Sequence, residues 1–182
     1  MSLLPLREYV PPAPPANPSW DEYFMRHVYL AATKSKDART RIGAVLVRDR
    51  HVISEGYNGL PVGVNDNVPE RQERPEKYFW FEHAERNSIL VCAKYGHATG
   101  GSTMYTQGIP CAECCRATIQ AGVKEVVVHK QWQEYQYANP QTSLSQGKDR
   151  CEQMLKEAGV TIRVLDLTLN TTGVMDGKVL EV

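Results

Sequence analysis

Phe81-Glu82-His83-Ala84-Glu85 and Pro110-Cys111-Ala112-Glu113-Cys114 decide how this chain is read. The first stretch offers an imidazole and, two residues on, a carboxylate. The second offers two thiols at C-x-x-C spacing behind a proline. Zinc accepts imidazole nitrogen and thiolate sulfur in a tetrahedron. His83, Cys111 and Cys114 make three ligands, and neither stretch offers a fourth. One corner is then left for water, whereas structural zinc sites take four protein ligands. Zinc lowers the pKa of such a water to ~7. Glu85 is left over, on the opening turn of a helix, where it can reach that water and move protons. Pro110 suits the start of a second helix, with Cys111 and Cys114, three apart, on one face of its first turn. The positive end of a helix dipole favours thiolates. The competing reading makes His83 a satisfied helix histidine and the cysteines small core residues. It leaves the pairing of H-A-E with P-C-x-x-C unexplained.

Working outward, 182 residues suffice for one well-cored domain. Lys plus Arg equals Asp plus Glu at 21 each, so the chain lacks the basic excess expected of a nucleic-acid binder. Five cysteines, two of them in the metal motif, fit a reducing, cytoplasmic setting better than a disulfide scaffold. No apolar run approaches the ~20 residues of a membrane span, and residues 1–18 lack the layout of a signal peptide. Without secretion the sequon Asn170-Thr171-Thr172 carries no meaning.

The order of elements follows from periodicity and punctuation. Residues 1–18 hold six prolines and read as an extended N-terminal arm. Ser19 with Glu22 forms a capping box for a helix to about Thr33, with Trp20, Tyr23, Phe24, His27, Val28 and Ala31 on one face. A loop with four cations (Lys34, Lys36, Arg39, Arg41) leads into a hairpin of strands at about 42–47 and 52–57. Asn58-Gly59 reads as a turn. Residues 62–77 show no periodicity and read as a long loop, functional or disordered. The aromatics Tyr78-Phe79-Trp80-Phe81 read as core or as walls of a base-binding pocket. The metal helix is expected over about 83–94 with Ile89, Leu90 and Ala93 inward. A strand at about 102–106, a helix at about 111–121 closed by Gly122, and the apolar strand Val126-Val127-Val128 follow. Residues 129–148 read as irregular. A helical stripe of Cys151, Met154, Leu155 and Ala158 ends at Gly159, before a last strand at about 160–165. A single domain thus spans 19–169, with a weakly patterned tail at 170–182 in which Asp176-Gly177 suggests a turn. Strands alternating with helices predict an α/β fold, a three-layer α/β/α sandwich around a mixed sheet, with the site at helix N-termini beside the sheet.

Several stretches together resemble deoxycytidylate deaminases of the cytidine deaminase superfamily, whose zinc signature is H-x-E…P-C-x-x-C. They are Trp20-Asp21-Glu22-Tyr23-Phe24-Met25, Ser35-Lys36-Asp37 before Ile42-Gly43-Ala44, and Gly56-Tyr57-Asn58-Gly59-Leu60-Pro61. The two metal motifs and Ile119-Gln120-Ala121-Gly122-Val123-Lys124-Glu125-Val126 complete the set. The likeness covers about 19–128 and, more loosely, runs to 165. It implies a five-stranded sheet, one catalytic Zn2+ per subunit, and hydrolysis of dCMP to dUMP and ammonia. Glu85 would take the proton of water, deliver it to N3, and then protonate the departing amine after attack at C4. The Ala84 N–H would hold the pyrimidine carbonyl, and Asn58 the sugar or base. The likeness further implies a homo-oligomer (hexamer or dimer), activation by dCTP and inhibition by dTTP with Mg2+ as companion, and an effector contact near Gly56, Tyr57, Asn58 and Gly59.

The four loop cations are all candidates for the 5′-phosphate, with Lys36 and Arg39 put forward, and Tyr135 or Tyr137 for a further substrate contact. Arg86 departs from the family's pattern after H-A-E and reads as solvent-facing or salt-bridged, or else as altering a phosphate or effector contact. Cys115 is turned about 100° from Cys114 and reads as inert. The stretch 61–82 holds no cysteine or histidine, so no second zinc site is expected there. The competing functions are a deaminase of the same fold acting on cytidine, a modified cytidylate, guanine or adenosine in RNA, and a non-enzymatic zinc module. The last would require a fourth ligand.

Overall fold

The computed structural model describes residues 17–138 and 147–182. All but two residues of the proline-rich arm, and residues 139–146, lie outside them. Helix α1 (Trp20–Ala32) starts where Ser19 Oγ accepts the Glu22 N–H at 3.1 Å. Only half of the capping box forms, because the Glu22 carboxylate turns instead to Arg26, one turn on. The apolar face is rotated from the expected one. Phe24, Met25, Val28, Tyr29, Ala31 and Ala32 are buried, while Trp20 and Tyr23 stay half exposed and His27 pairs with Glu55.

Strands β1 (Gly43–Arg48) and β2 (His51–Tyr57) form the expected antiparallel hairpin. Strand β3 (Thr103–Thr106) joins β1 antiparallel; β4 (Glu125–His129) and β5 (Thr161–Leu165) continue parallel to β3. The sheet order is β2-β1-β3-β4-β5, the five-stranded mixed sheet anticipated. Its strands alternate sides. Val45, Val47, Tyr105 and Val127 face a core with α1, whereas Leu46, Met104, Val126 and Val128 face the other layer. That other layer is α3 (Ala84–Tyr95), α4 (Ala112–Gln120) and α6 (Lys148–Glu157).

Three stretches differ from expectation. Residues 130–138 are a helix, α5 (Lys130–Ala138), because Trp132 fills the core between Tyr29 and Gly173 and overrides a polar sequence. In α3 the buried face is Ala84, Glu85, Ser88 and Cys92, with Leu90 and Ala93 exposed. The tail segment holds a hairpin, β6 (Thr172–Met175) and β7 (Lys178–Glu181), turning at Asp176-Gly177 and burying Met175 and Val182. Between β2 and α3 the long loop contains a 3-10 turn (Pro69–Gln72) and one helical turn, α2 (Lys77–Trp80). No helix among the described residues is long and apolar enough to cross a membrane.

Candidate active site

Two helices begin beside one another at the end of the sheet where strand direction reverses. His83 is the N-cap of α3, and Cys111 the N-cap of α4. Neither residue uses its side chain to cap, so both stay available. His83 Nδ1 lies 3.4 Å from Cys111 Sγ and 3.5 Å from Cys114 Sγ. Two ligands of one tetrahedral zinc, with bonds of ~2.0–2.1 Å to nitrogen and ~2.3 Å to sulfur, stand roughly 3.5 Å apart. All three donor atoms fall within 4.8 Å of one another, and among the described residues no other cluster of this kind forms. A nitrogen and two sulfurs at this spacing fit zinc in both chemistry and geometry.

Glu85 sits on the first turn of α3, buried, with Oε2 3.6 Å from Cys114 Sγ. Burial pushes its carboxyl upward, against the pull of the His83 charge. A carboxyl held up in this way suits proton shuttling near neutral pH. Hydrogen bonding from Cys114 and His83 pulls Cys111 down to about 3, while Cys114 goes up because it keeps the proton the two sulfurs share. His83 rises to about 9, chiefly through Cys111. A bound cation would take the place of these protons. Cys115 faces away from the cluster, fully buried with Sγ 3.5 Å from the Cys151 carbonyl, and burial lifts its thiol to about 12.

Arg86 spans the two metal-bearing segments. Its Nε donates to Glu82 Oε1 at 2.5 Å, and its guanidinium pairs with Glu113 on α4. This is the salt-bridged role anticipated for it. Glu82 is fixed in turn: its N–H donates to the Gly59 carbonyl at 2.8 Å and its carboxylate accepts the His83 N–H at 2.8 Å.

The cluster opens into a cleft. His83, Ala84, Glu85 and Ile109 line its metal end; Asp37, Thr40, Asn58, Arg74, Lys77, Tyr78, Phe81 and Gln136 line the rest. Of the aromatic run, Phe81 and Tyr78 are walls, while Phe79 is 81% exposed and belongs to neither wall nor core. Asn58 faces the cleft, yet its amide is heavily engaged. Nδ2 donates to Asp37 Oδ2 and the Thr40 carbonyl, and Oδ1 accepts the Ile42 N–H at 2.8 Å. Ala84 is the first residue of α3, so no bond within the helix claims its N–H.

The remaining sequence candidates lie elsewhere. Lys36 is exposed and pairs with Asp66; Arg39 is exposed, and its carbonyl accepts the Gly177 N–H at 2.7 Å. Neither lines the cleft. The cations that do are Arg74 and Lys77. Lys77 makes a buried ion pair with Asp37, and Arg74 bonds Asp176 Oδ1 at 3.2 Å. Their place a few residues ahead of His83 was the available signal. Tyr135 packs against the α1-side core, and Tyr137 bonds Glu152 Oε1 at 3.0 Å; the residue between them, Gln136, is the one in the cleft wall. Gly56 is required by packing, since a Cβ there would stand 2.3 Å from the Ala84 carbonyl oxygen and 2.5 Å from the Ser88 nitrogen. The Tyr57 carbonyl accepts from Asn87 Nδ2 at 2.8 Å. The segment 56–59 therefore braces the start of α3.

The cytidine and deoxycytidylate deaminase zinc-binding region matches residues 18–130. The chain belongs to this deaminase family. Among its relatives, ComE operon protein 2 of Bacillus subtilis is 33% identical over 150 residues, 82% of this chain and 72% of that protein. Human deoxycytidylate deaminase is 39% identical over 114 residues, and the yeast enzyme (Saccharomyces cerevisiae) 30% over 163. These alignments span 63% and 48% of the human and yeast deaminases, under two thirds of each. Among solved structures, dCMP deaminase from the cyanophage S-TIM5, in complex with dCMP and dUMP, superposes with a TM-score of 0.62. It covers 82% of this chain and 98% of that one at 24% identity, a likeness of fold. The family's α/β fold is the five-stranded mixed sheet between helices described above.

Proposed function

We propose that the chain is a zinc-dependent hydrolase that deaminates dCMP to dUMP, releasing ammonia. The observation that carries this reading is the His83–Cys111–Cys114 cluster with the buried carboxyl of Glu85 beside it at the end of a cleft. The names of the deoxycytidylate deaminases among its relatives support the substrate.

His83, Cys111 and Cys114 would hold the zinc, which when bound would supply a water acidic enough to act as nucleophile at neutral pH. Glu85 accepts a proton from the attacking water and delivers it to N3 of the cytosine ring. The oxygen bonds to C4. Glu85 then carries the second proton to the 4-amino group, the C4–N bond breaks, and ammonia leaves. The Ala84 N–H is placed to hold the pyrimidine carbonyl. Phe81 and Tyr78 flank the ring and exclude water. Arg74, half-exposed and held by a single 3.2 Å contact to Asp176, is more available for the 5′-phosphate than Lys77, which is buried against Asp37. Asn58 keeps one lone pair on Oδ1 for a sugar hydroxyl.

The same reading includes a homo-oligomer, dCTP and dTTP as effectors with Mg2+ as their companion near Tyr57 and Gly59, and a cytoplasmic location. The first two rest on the resemblance of the sequence motifs alone, and five cysteines free of disulfides support the last. Sedimentation with and without each nucleotide tests assembly and effectors together.

Ammonia release from dCMP, deoxycytidine, CMP and guanine by the zinc-loaded protein tests the substrate. Turnover of deoxycytidine but not dCMP would overturn it. Glu85→Gln should retain zinc and lose ~10²–10⁴-fold in kcat; retained activity would remove Glu85 from its role.

A further inference from the structure

Gln107 and Gln136 are both buried, at 0% and 3% exposure. Gln107 is satisfied within the fold. Its Oε1 accepts the Gly43 N–H at 2.7 Å, and its Nε2 donates to the Arg41 carbonyl at 3.2 Å. Gln136 is not. Its Oε1 is shut away from solvent and has no hydrogen-bond partner among the described residues. Folded proteins rarely leave a buried carboxamide oxygen unpaired, and each case calls for a reason.

Its position supplies one. Gln136 lies one turn beyond Trp132 on α5, so the two share the inward face of that helix. Trp132 enters the core, and Gln136 enters the wall of the cleft that holds His83 and Glu85. Room for it exists because residue 108 is glycine. A Cβ at Gly108 would come within 2.3 Å of Gln136 Oε1 and 2.8 Å of its Cδ. Gly108 belongs to the loop that delivers Cys111, so the carboxamide is wedged against the backbone of the metal-bearing segment.

We propose that Gln136 reads the substrate, its carboxamide turning from the Gly108 backbone into the cleft so that the oxygen accepts a hydrogen bond from a donor on the bound nucleotide. The proposal rests on the deaminase reading above. A cytosine deoxynucleotide offers two neutral donors, the 4-amino group and the 3′-hydroxyl. Either supplies what the oxygen lacks. A site built around such a bond rejects analogues without the donor, because they leave the protein group buried and unpaired.

Gln136→Met keeps the length and removes both polar atoms. In the zinc-loaded enzyme it should lower kcat/KM for dCMP about tenfold, the effect of one net hydrogen bond. Zinc content should be unchanged and Tm equal or slightly higher, since no bond within the protein is lost. A fall in Tm with loss of zinc would make Gln136 structural and overturn the proposal, and so would a wild-type kcat/KM.

Comparing dCMP with 2′,3′-dideoxycytidine monophosphate assigns the donor. If it is the 3′-hydroxyl, the analogue costs the wild type about tenfold and the variant nothing further. An equal loss in both proteins assigns the 4-amino group. Calorimetric binding of dCMP to the Glu85→Gln protein, with and without Gln136→Met, needs no turnover, and the affinity should fall about tenfold. Failure of the wild type to deaminate dCMP would reject the substrate reading, whereas unchanged nucleotide affinity on replacing Gln136 would reject this one.

Discussion

The loop at 34–41 and the segment at 74–86 both carry cations, four in the first and three in the second. They use them in opposite ways. In the loop Lys34, Lys36 and Arg39 are exposed and Arg41 is half-buried on the Asp37 carbonyl, while the small polar residues Ser35, Asp37 and Thr40 are buried and do the holding. Ser35 Oγ donates to the Asn58 carbonyl at 2.7 Å, and Asp37 Oδ1 accepts the N–H groups of Arg39 and Thr40. In the later segment the charges themselves face inward: Arg74 and Lys77 to the cleft, Arg86 across the metal motifs. Counting charge along a chain therefore does not find a phosphate site. What separates the two regions is which one comes to lie against the metal helix.

The sharpest way to break this comparison is at Asp37, where the two regions meet. Asp37 pairs with Lys77 while bonding Asn58, Arg39 and Thr40, and its side chain is 1% exposed. Removing one partner of a buried ion pair costs about 3–5 kcal/mol. Asp37→Ala should therefore lose about that much in urea unfolding, and a loss below ~1 kcal/mol would show the pair to be dispensable.

Arg86→Leu comes next. It cuts the tie between Glu82 and Glu113, which steadies the two metal-bearing segments, and groups just outside the ligand set typically matter ~10–100-fold to metal affinity. A drop of about tenfold in zinc affinity, read by competition with a chromophoric chelator, is expected.

Of similar size, Arg74→Gln should raise KM for dCMP about tenfold with kcat little changed, as loss of a phosphate contact would. Lys36→Ala and Arg39→Ala should each stay within about twofold, being exposed surface. The reverse ranking would restore the loop as the phosphate site.

His129, which does not line the cleft, is the control. Its Nδ1 lies 2.8 Å from the Tyr29 hydroxyl, and its Nε2 donates to the Leu167 carbonyl at 2.9 Å. Burial holds its pKa below the usual 6.5. Below that pH the unfolded chain binds a proton that the folded one refuses, so stability falls as pH drops from 6.5 toward the lowered native value. Unfolding at pH 7.5 and 5.5 should show this loss, and it should shrink in His129→Leu.

The metal end was legible because its chemistry is local. A histidine and a carboxylate two apart, and two cysteines three apart, are brought together by helix starts that sequence marks well. The sheet was legible for the same reason: Val45, Leu46 and Val47 or Val126, Val127 and Val128 announce a strand covered on both faces. The far end of the cleft was not. Gln136 looks like one more polar residue in a polar run until Trp132 anchors the helix that carries it. Arg74 and Lys77 sit in a stretch without periodicity, whose path is set by the Asp37 pair and the Gly59–Glu82 bridge. Likewise α1 was placed correctly but its face was misread. Tyr29 and Met25 outcompete Trp20 and Tyr23 because the sheet lies on their side.

The hairpin at 172–181 reaches the mouth of the cleft. Asp176 holds Arg74 through its carboxylate and Thr40 Oγ1 through its N–H, while Val182 is stitched back to Thr171. The last residues of the sequence thus act as a buttress for groups that would meet the nucleotide. A protease nick near Asn170 would then disturb nucleotide handling together with the core that Met175 and Val182 help to fill.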